Sequence, residues 1–157
     1  MKWFLIIVLV AVIMLIATAV SGQYKEKCDF YGNLHKFLCQ FKINVSFKKE
    51  KIIDFLNQIQ PKKQFKIFID EYKVYLNNNT LNFSKITLLD EEEKQDLINI
   101  VKNLGEFNTE NELQQLEGFL LIIKEKHKNS IEDKNKICPI LLKLSLLFSI
   151  GLAIILI

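Results

Sequence analysis

Leu88-Leu89-Asp90-Glu91-Glu92-Glu93-Lys94-Gln95-Asp96-Leu97-Ile98-Asn99-Ile100-Val101-Lys102-Asn103-Leu104 is the stretch whose reading decides the fold class. Leu97, Ile100, Val101 and Leu104 recur at three- and four-residue steps, which places them on one helical face. The acids Asp90 to Glu93 stand in the opening turn, where the positive end of the helix dipole favours them. Working outward, Thr109 followed by Glu112 reads as a capping box. Behind it comes a second stripe of Leu113, Leu116, Leu120 and Ile123. Upstream, Ile52, Leu56 and Ile59 form a third, and Phe30, Leu34, Phe37 and Leu38 a fourth, interrupted by Gly32. Phe65–Leu76 alternates like a strand at Phe65, Ile67 and Ile69. It also fits a helix at Phe65, Phe68, Tyr72 and Leu76, and we read it as a helix. Ser46, with Lys48, Lys49 and Glu50, marks another helix start, and the polar run Asn77–Asn82 a loop. Pro occurs only at Pro61 and Pro139, and few glycines interrupt the chain, so long helices are favoured. The expectation is an all-α bundle of about five helices arranged as two helical hairpins. One hairpin covers Phe37–Ile59 and the other Leu97–Phe119, the latter turning through Gly105-Glu106-Phe107-Asn108-Thr109.

Apolar segments flank this domain. Lys2, the run Trp3–Ala17 and the small residues of Ala17-Thr18-Ala19-Val20-Ser21-Gly22 are the parts of a secretory signal peptide, with cleavage after Ala19 or Gly22. The same run is long enough to serve as an uncleaved signal anchor. After Cys138-Pro139 the sequence ILLKLSLLFSIGLAIILI runs to Ile157, with Lys143 near its outer end. No cationic flank follows it to lock an orientation. The stronger reading is a GPI-attachment signal, with Asn129 as the attachment candidate. A transmembrane helix is the alternative, and Ile131 and Lys143 fit the GPI pattern poorly. The expected division is 1–22 signal peptide, 23–129 helical ectodomain, 130–138 polar spacer and 139–157 apolar tail.

An oxidising compartment makes the three cysteines candidates for a disulfide. Cys28 and Cys39 can bridge only if the helix breaks between them, at Gly32-Asn33; Cys28 with Cys138 is the alternative. Asn44, Asn78 and Asn82 each begin an N-x-[ST] sequon and are N-glycosylation candidates. Every one of the 21 cationic residues is Lys, and residues 23–137 carry 19 Lys against 18 acids. A domain so nearly neutral is not a nucleic-acid binder by composition. The balance hides an asymmetry: residues 23–66 hold ten Lys and four acids, residues 90–117 nine acids and two Lys. Opposite faces that attract one another in the fold are the simplest account of it. His35 and His127 show no spacing that suggests partnership with a nucleophile. Lys42–Ile53 and Lys102–Leu113 lack the alternating oxygen ligands of a calcium loop. No catalytic residue, metal ligand or cofactor is expected.

Ile86-Thr87-Leu88-Leu89-Asp90-Glu91-Glu92-Glu93, then Ile98–Leu104 and Phe107-Asn108-Thr109-Glu110, resembles the SXP-type secreted helical antigen family of nematodes over residues 30–128. The resemblance implies a small, secreted, helical protein with degenerate calmodulin-like hairpins. The apolar tail and the Cys pair depart from that pattern. From the residues themselves, the expected function is a membrane-anchored, GPI-linked extracellular interaction domain without enzymatic activity. It would be exported through the secretory pathway to the cell surface, as a disulfide-bonded glycoprotein held to the membrane by its tail or a lipid and binding an unknown protein. A carrier of fatty acid or another small apolar ligand, with the twelve Phe lining a cavity, is the alternative.

Overall fold

The computed structural model describes residues 2–48, 50–104 and 109–156, and the side chains of 6–47, 50–104 and 111–155. Among them the chain is all-α. Five helices follow in order: α1 Lys2–Ile43, α2 Ile52–Gln58, α3 Lys63–Asn78, α4 Glu91–Asn103 and α5 Thr109–Leu156. A π-helical turn, Asn44–Lys48, continues α1. The expected turn at Gly105–Thr109, the side chain of Thr109 and that of Trp3 lie outside the described residues. The chain divides into two compact units, one of residues 1–28 with 128–157 and the other Asp29–His127.

The first unit is a pair of antiparallel helical arms. The Cys138 thiol lies 3.6 Å from the Ser21 carbonyl, and Ser145 Oγ 3.4 Å from Met14 Sδ. Seven residues forward on α5 therefore correspond to seven residues back on α1. The inward residues of α1 include Ile6, Val10, Ile13, Ala17, Ser21, Tyr24 and Cys28, and those of α5 Lys134, Cys138, Leu141, Ser145, Ser149 and Leu152. Both sets step by threes and fours, the spacing of a two-helix seam. Ser149 Oγ donates to the Ser145 carbonyl at 2.7 Å and Ser145 Oγ to that of Leu142 at 2.8 Å. Bonding back to their own helix satisfies these hydroxyls in an apolar setting. The outward faces are Ile, Leu, Val and Phe, and Lys143 is the one charged residue of 139–157.

The second unit is organised around aromatic rings. Phe37 is fully buried, and its ring centroid lies 5.8–6.4 Å from those of Phe41, Phe55, Phe65, Phe68 and Tyr72. Phe30 and Phe83 extend the cluster, and Leu97, Ile100, Val101, Leu104, Leu116 and Ile123 close it from α4 and α5. Phe68 and Tyr72 are core residues of α3, which settles the ambiguous segment as a helix. Asp90 caps α4: its carboxylate accepts from Glu93 N at 2.8 Å, and the Glu93 carboxylate accepts from Asp90 N at 3.1 Å. The capping box thus stands one turn before the Leu97 stripe, among the acids. Asn79 ends α3 in the left-handed conformation, with its N–H on the Tyr75 carbonyl at 2.8 Å, a role Asn tolerates well.

Two local expectations need correction. Gly32 does not break α1. A Cβ there would stand 3.1 Å from His127 Nε2, so glycine makes room for the imidazole rather than for a turn. Ser46 does not begin a helix; it sits in the π-helical turn, and α2 starts at Ile52. The stretch 130–138, expected as a polar spacer ahead of the tail, lies within α5, which runs through Pro139.

Candidate functional site

A groove of about 800 Å³ opens in the unit Asp29–His127. Its floor is aromatic, made by Phe37, Phe55 and Phe65. One wall is the outer face of α1, at Asn33, Lys36, Gln40 and Asn44, steps of three and four that align side chains along a helix. The other is the end of α2 with the linker Ile59–Lys62. Pro61 holds its predecessor away from helical geometry, and Ile59 and Lys62 are extended, at φ −79° and −123°. The linker therefore presents the side chains of Gln60 and Lys62, beside Gln58 at the end of α2, instead of closing into a helix. Lys63 follows with φ 51°, a left-handed conformation that a non-glycine residue adopts only at some cost.

The walls are amides and ammonium groups, and among the described residues no carboxylate lines the groove. Lys36 and Lys62 are exposed and have no ion-pair partner among the described residues. Asn44 is 2% exposed and holds the π-helical turn: its Nδ2 donates to the Glu50 carbonyl at 3.2 Å and its Oδ1 accepts from Glu50 N at 3.3 Å. Gln58 Nε2 donates to the Glu50 carboxylate at 3.1 Å, which ties the two walls. Outside the groove, Phe47 projects from the π-helical turn at 81% exposure. Elsewhere in this unit, burial pushes the Tyr31 and Tyr72 phenols well above their ordinary range, with the acids Glu93 and Glu112 respectively adding to the effect. The Glu117 carboxylate, hydrogen-bonded by Lys42 at 2.7 Å, is held below its ordinary value.

The residues singled out in the sequence do not converge on this groove. Cys28, Cys39 and Cys138 are free thiols. Cys28 and Cys39 stand on unbroken α1, eleven residues and about 16 Å apart, and cannot bond. Cys138 faces Ser21, seven residues along α1 from Cys28, so the alternative bridge is out of register as well. Cys39 Sγ instead lies 3.9 Å from His35 Nδ1, one turn earlier. Asn44 is buried and already bonded, which removes the surface exposure a glycan would need. Asn78 and Asn82 are exposed, and the Asn82 carboxamide accepts from Ser84 N at 2.8 Å. Asn129 is exposed in the middle of α5. Of the groove, Asn44 had been noticed as a sequon, Asn33 as part of a helix break, and Phe37, Ile59, Pro61 and Phe65 as core or breaker positions, while Lys36, Gln40, Gln58, Gln60 and Lys62 had not been singled out. The signal available was Asn57-Gln58-Ile59-Gln60-Pro61-Lys62, an amide-rich run around the domain's one proline.

Two helices are long and apolar enough to cross a membrane, by length and composition, and within their unit they pair along a seam that includes small side chains; with the helical domain and its groove they make an all-α chain. The family profile of stage III sporulation protein AB matches residues 2–157, and the chain belongs to that bacterial family. No curated protein and no solved structure matches it.

Membership overturns the resemblance to nematode SXP-type antigens, which rested on generic Leu and Thr-Glu placements common to many helices. It also overturns the GPI-linked extracellular domain and the eukaryotic secretory and cell-surface localisation, and with them the GPI-anchor, glycoprotein and disulfide assignments. The fatty-acid carrier falls for the same reason. The phenylalanines proposed to line its cavity pack chiefly against one another.

Proposed function

We infer that this chain is a membrane-embedded, non-enzymatic component of bacterial sporulation, with both apolar arms retained as spans and Asp29–His127 as its interaction domain. The observation that carries this reading is the seam between the arms. Ala17, Ser21, Cys138, Ser145 and Ser149 are buried together with Ile6, while most of the Ile and Leu point outward. That is an arrangement suited to lipid, where small residues let helices approach and large apolar ones face hydrocarbon. A leader destined for removal has no need of a matched partner 117 residues downstream.

Retention of both arms puts residues 29–127 on one side of the membrane. Lys25, Lys27 and Lys36 follow the first span, and Lys124, Lys126, Lys128, Lys134 and Lys136 precede the second, whereas residues 1–22 contain only Lys2. The excess of Lys beside the domain favours a cytoplasmic placement. Lys143 then reaches the same headgroup layer by snorkelling. Within the domain we read two helical hairpins. The end of α1 pairs with α2 through Phe37, Phe41 and Phe55, and α4 pairs with the start of α5 through Lys126–Asp96 at 2.6 Å.

The test is a cysteine at Lys36 in a chain lacking its three native thiols, probed in bacterial cells with a membrane-impermeant maleimide. Labelling only after permeabilisation supports the placement; labelling of intact cells overturns it. Intact mass of the membrane-extracted protein separates leader retention from cleavage. Loss of heat-resistant spores on deletion of the gene in its own host tests the role in sporulation.

A further inference from the structure

Two lysines of the arm unit lack a counter-charge. Residues 23–28 and 128–138 carry five Lys and three acids. Lys128 and Lys136 share one carboxylate, Glu132, at 4.0 and 3.6 Å. Lys25 and Lys134 have no carboxylate partner among the described residues. These two are also in register. Cys138 Sγ meets the Ser21 carbonyl at 3.6 Å, and one turn beyond that contact each helix carries a lysine: Lys25 four residues after Ser21, Lys134 four before Cys138. A step of four residues is about 6 Å along each axis, so both stems leave the seam at the same level. Lys134 is half-buried there, Lys25 is exposed, and Tyr24 lies half-buried beside it. Asp133 does not offset Lys134, because adjacent side chains on a helix do not face each other. Two cations at one level of a helix pair repel, and an anion between them turns repulsion into attraction. Depth identifies the anion. Ser21 and Cys138 stand at the ends of the apolar runs, so with both arms as spans the lysines fall in the headgroup layer, about 5–8 Å deep.

We propose that Lys25 and Lys134 form a site for the phosphate of an anionic phospholipid. The two ammonium groups hold the phosphate between them, their stems resting on apolar surface. Tyr24 stands beside the site at the membrane interface, a position that suits an amphipathic ring. The acyl chains follow the outward Ile and Leu of the arms. The site rests on the reading that both arms are retained as spans, and it holds whichever side of the membrane carries the domain.

The experiment uses the full chain in detergent, with its intact mass taken first to establish that residues 1–22 are present. The chain is mixed with equal amounts of phosphatidylglycerol and phosphatidylcholine, and native mass spectrometry reads which lipid stays bound. The wild-type chain is expected to retain phosphatidylglycerol in preference. Lys25→Gln with Lys134→Gln should lower that preference by about fivefold for each lysine lost. Lys25→Arg with Lys134→Arg keeps both charges and should keep the preference, which separates lost charge from lost structure. Lys128→Gln with Lys136→Gln removes as much charge from paired positions and should lower it far less. Excess inorganic phosphate should not displace the lipid; displacement would overturn the assignment to lipid in favour of a free phosphate. No preference in a chain that carries both arms, or an equal loss in the Lys128 and Lys136 variant, overturns the site and leaves the spans standing. A chain found without residues 1–22 overturns both, because the seam is then gone.

Discussion

The two units bury different mixtures of residue. Between the arms of the first lie Ala17, Ser21, Cys28, Cys138, Ser145 and Ser149 with Ile6, while Leu147 and Phe148 face outward at 64% and 68% exposure. In the second, seven phenylalanines, with Ile and Leu, are buried, and Lys and Glu cover the surface. The proposed membrane placement of the arms accounts for the contrast. In water, apolar burial drives the core, and rings that fill space are the natural filling. In lipid that drive is absent between helices, so closeness of approach and satisfied hydroxyls decide what sits inside.

The sharpest way to break the comparison is to remove the centre of the water-facing unit. Phe37→Ala deletes the ring that touches five others and should cost about 3–5 kcal/mol. Denaturant unfolding of the full chain in detergent, followed by tyrosine fluorescence, should show the loss in the domain. Helicity of the arms should persist, and simultaneous loss of both would mean the units are one cooperative body.

A charge on the outward face tests the same contrast from the other side. Leu147→Asp places a carboxylate where the reading puts hydrocarbon and should cost about 3 kcal/mol of insertion. Val74→Asp, on an apolar residue of α3 that is 41% exposed, should change stability by no more than about 0.5 kcal/mol, as surface substitutions in water do. Membrane fractionation reads the first and thermal unfolding the second. Equal tolerance of both would put the arms in water. A smaller effect is expected from Ser149→Leu, which pushes a large side chain into the seam. Overpacking of this kind costs about 1–3 kcal/mol, and its readout is loss of a disulfide engineered between positions 14 and 145.

What the sequence disclosed follows the same division. The stripes of α4 and the start of α5 were legible because a water-facing helix sorts apolar from polar residues at a 3.6-residue period. Leu97, Ile100, Val101, Leu116 and Ile123 are all buried as that spacing demands. The arms were legible as apolar but not as partners. When the outside is also apolar, a seam of Ala, Ser and Cys leaves little contrast, and the matching of Ser21 with Cys138 is invisible to any local pattern. Without the pairing, a leader and a discarded tail were the natural reading. The groove was hidden for a different reason. It depends on where Pro61 sends the chain and on which side of α1 Asn33, Lys36 and Gln40 face, and amides carry no periodic signal. Gly32 misled because a helix-breaking residue also serves a close contact, here with His127.

The smallest effect at neutral pH belongs to Tyr72, and its sign reverses nothing until the solution is alkaline. Its hydroxyl is buried without a hydrogen-bond partner among the described residues, so Tyr72→Phe should leave neutral stability within about 1 kcal/mol. The folded phenol titrates above its ordinary value of 10.0 because burial opposes the phenolate. Its contribution is therefore complete below about pH 10 and is lost as the pH rises toward the folded value, by about 1.4 kcal/mol for each pH unit over which only the unfolded chain has ionised. Tyr31, shifted in the same direction, adds a second such loss. Tyr72→Phe should then extend the alkaline limit of the domain, seen as a later rise of tyrosinate absorbance and a higher unfolding midpoint above pH 10. The apolar arms, with Tyr24 alone between residues 1 and 28, should not follow that transition. At the acid end the expectation is opposite: Glu117 is lowered by Lys42, so its small contribution is present above 4.5 and fades as the pH falls through its folded value.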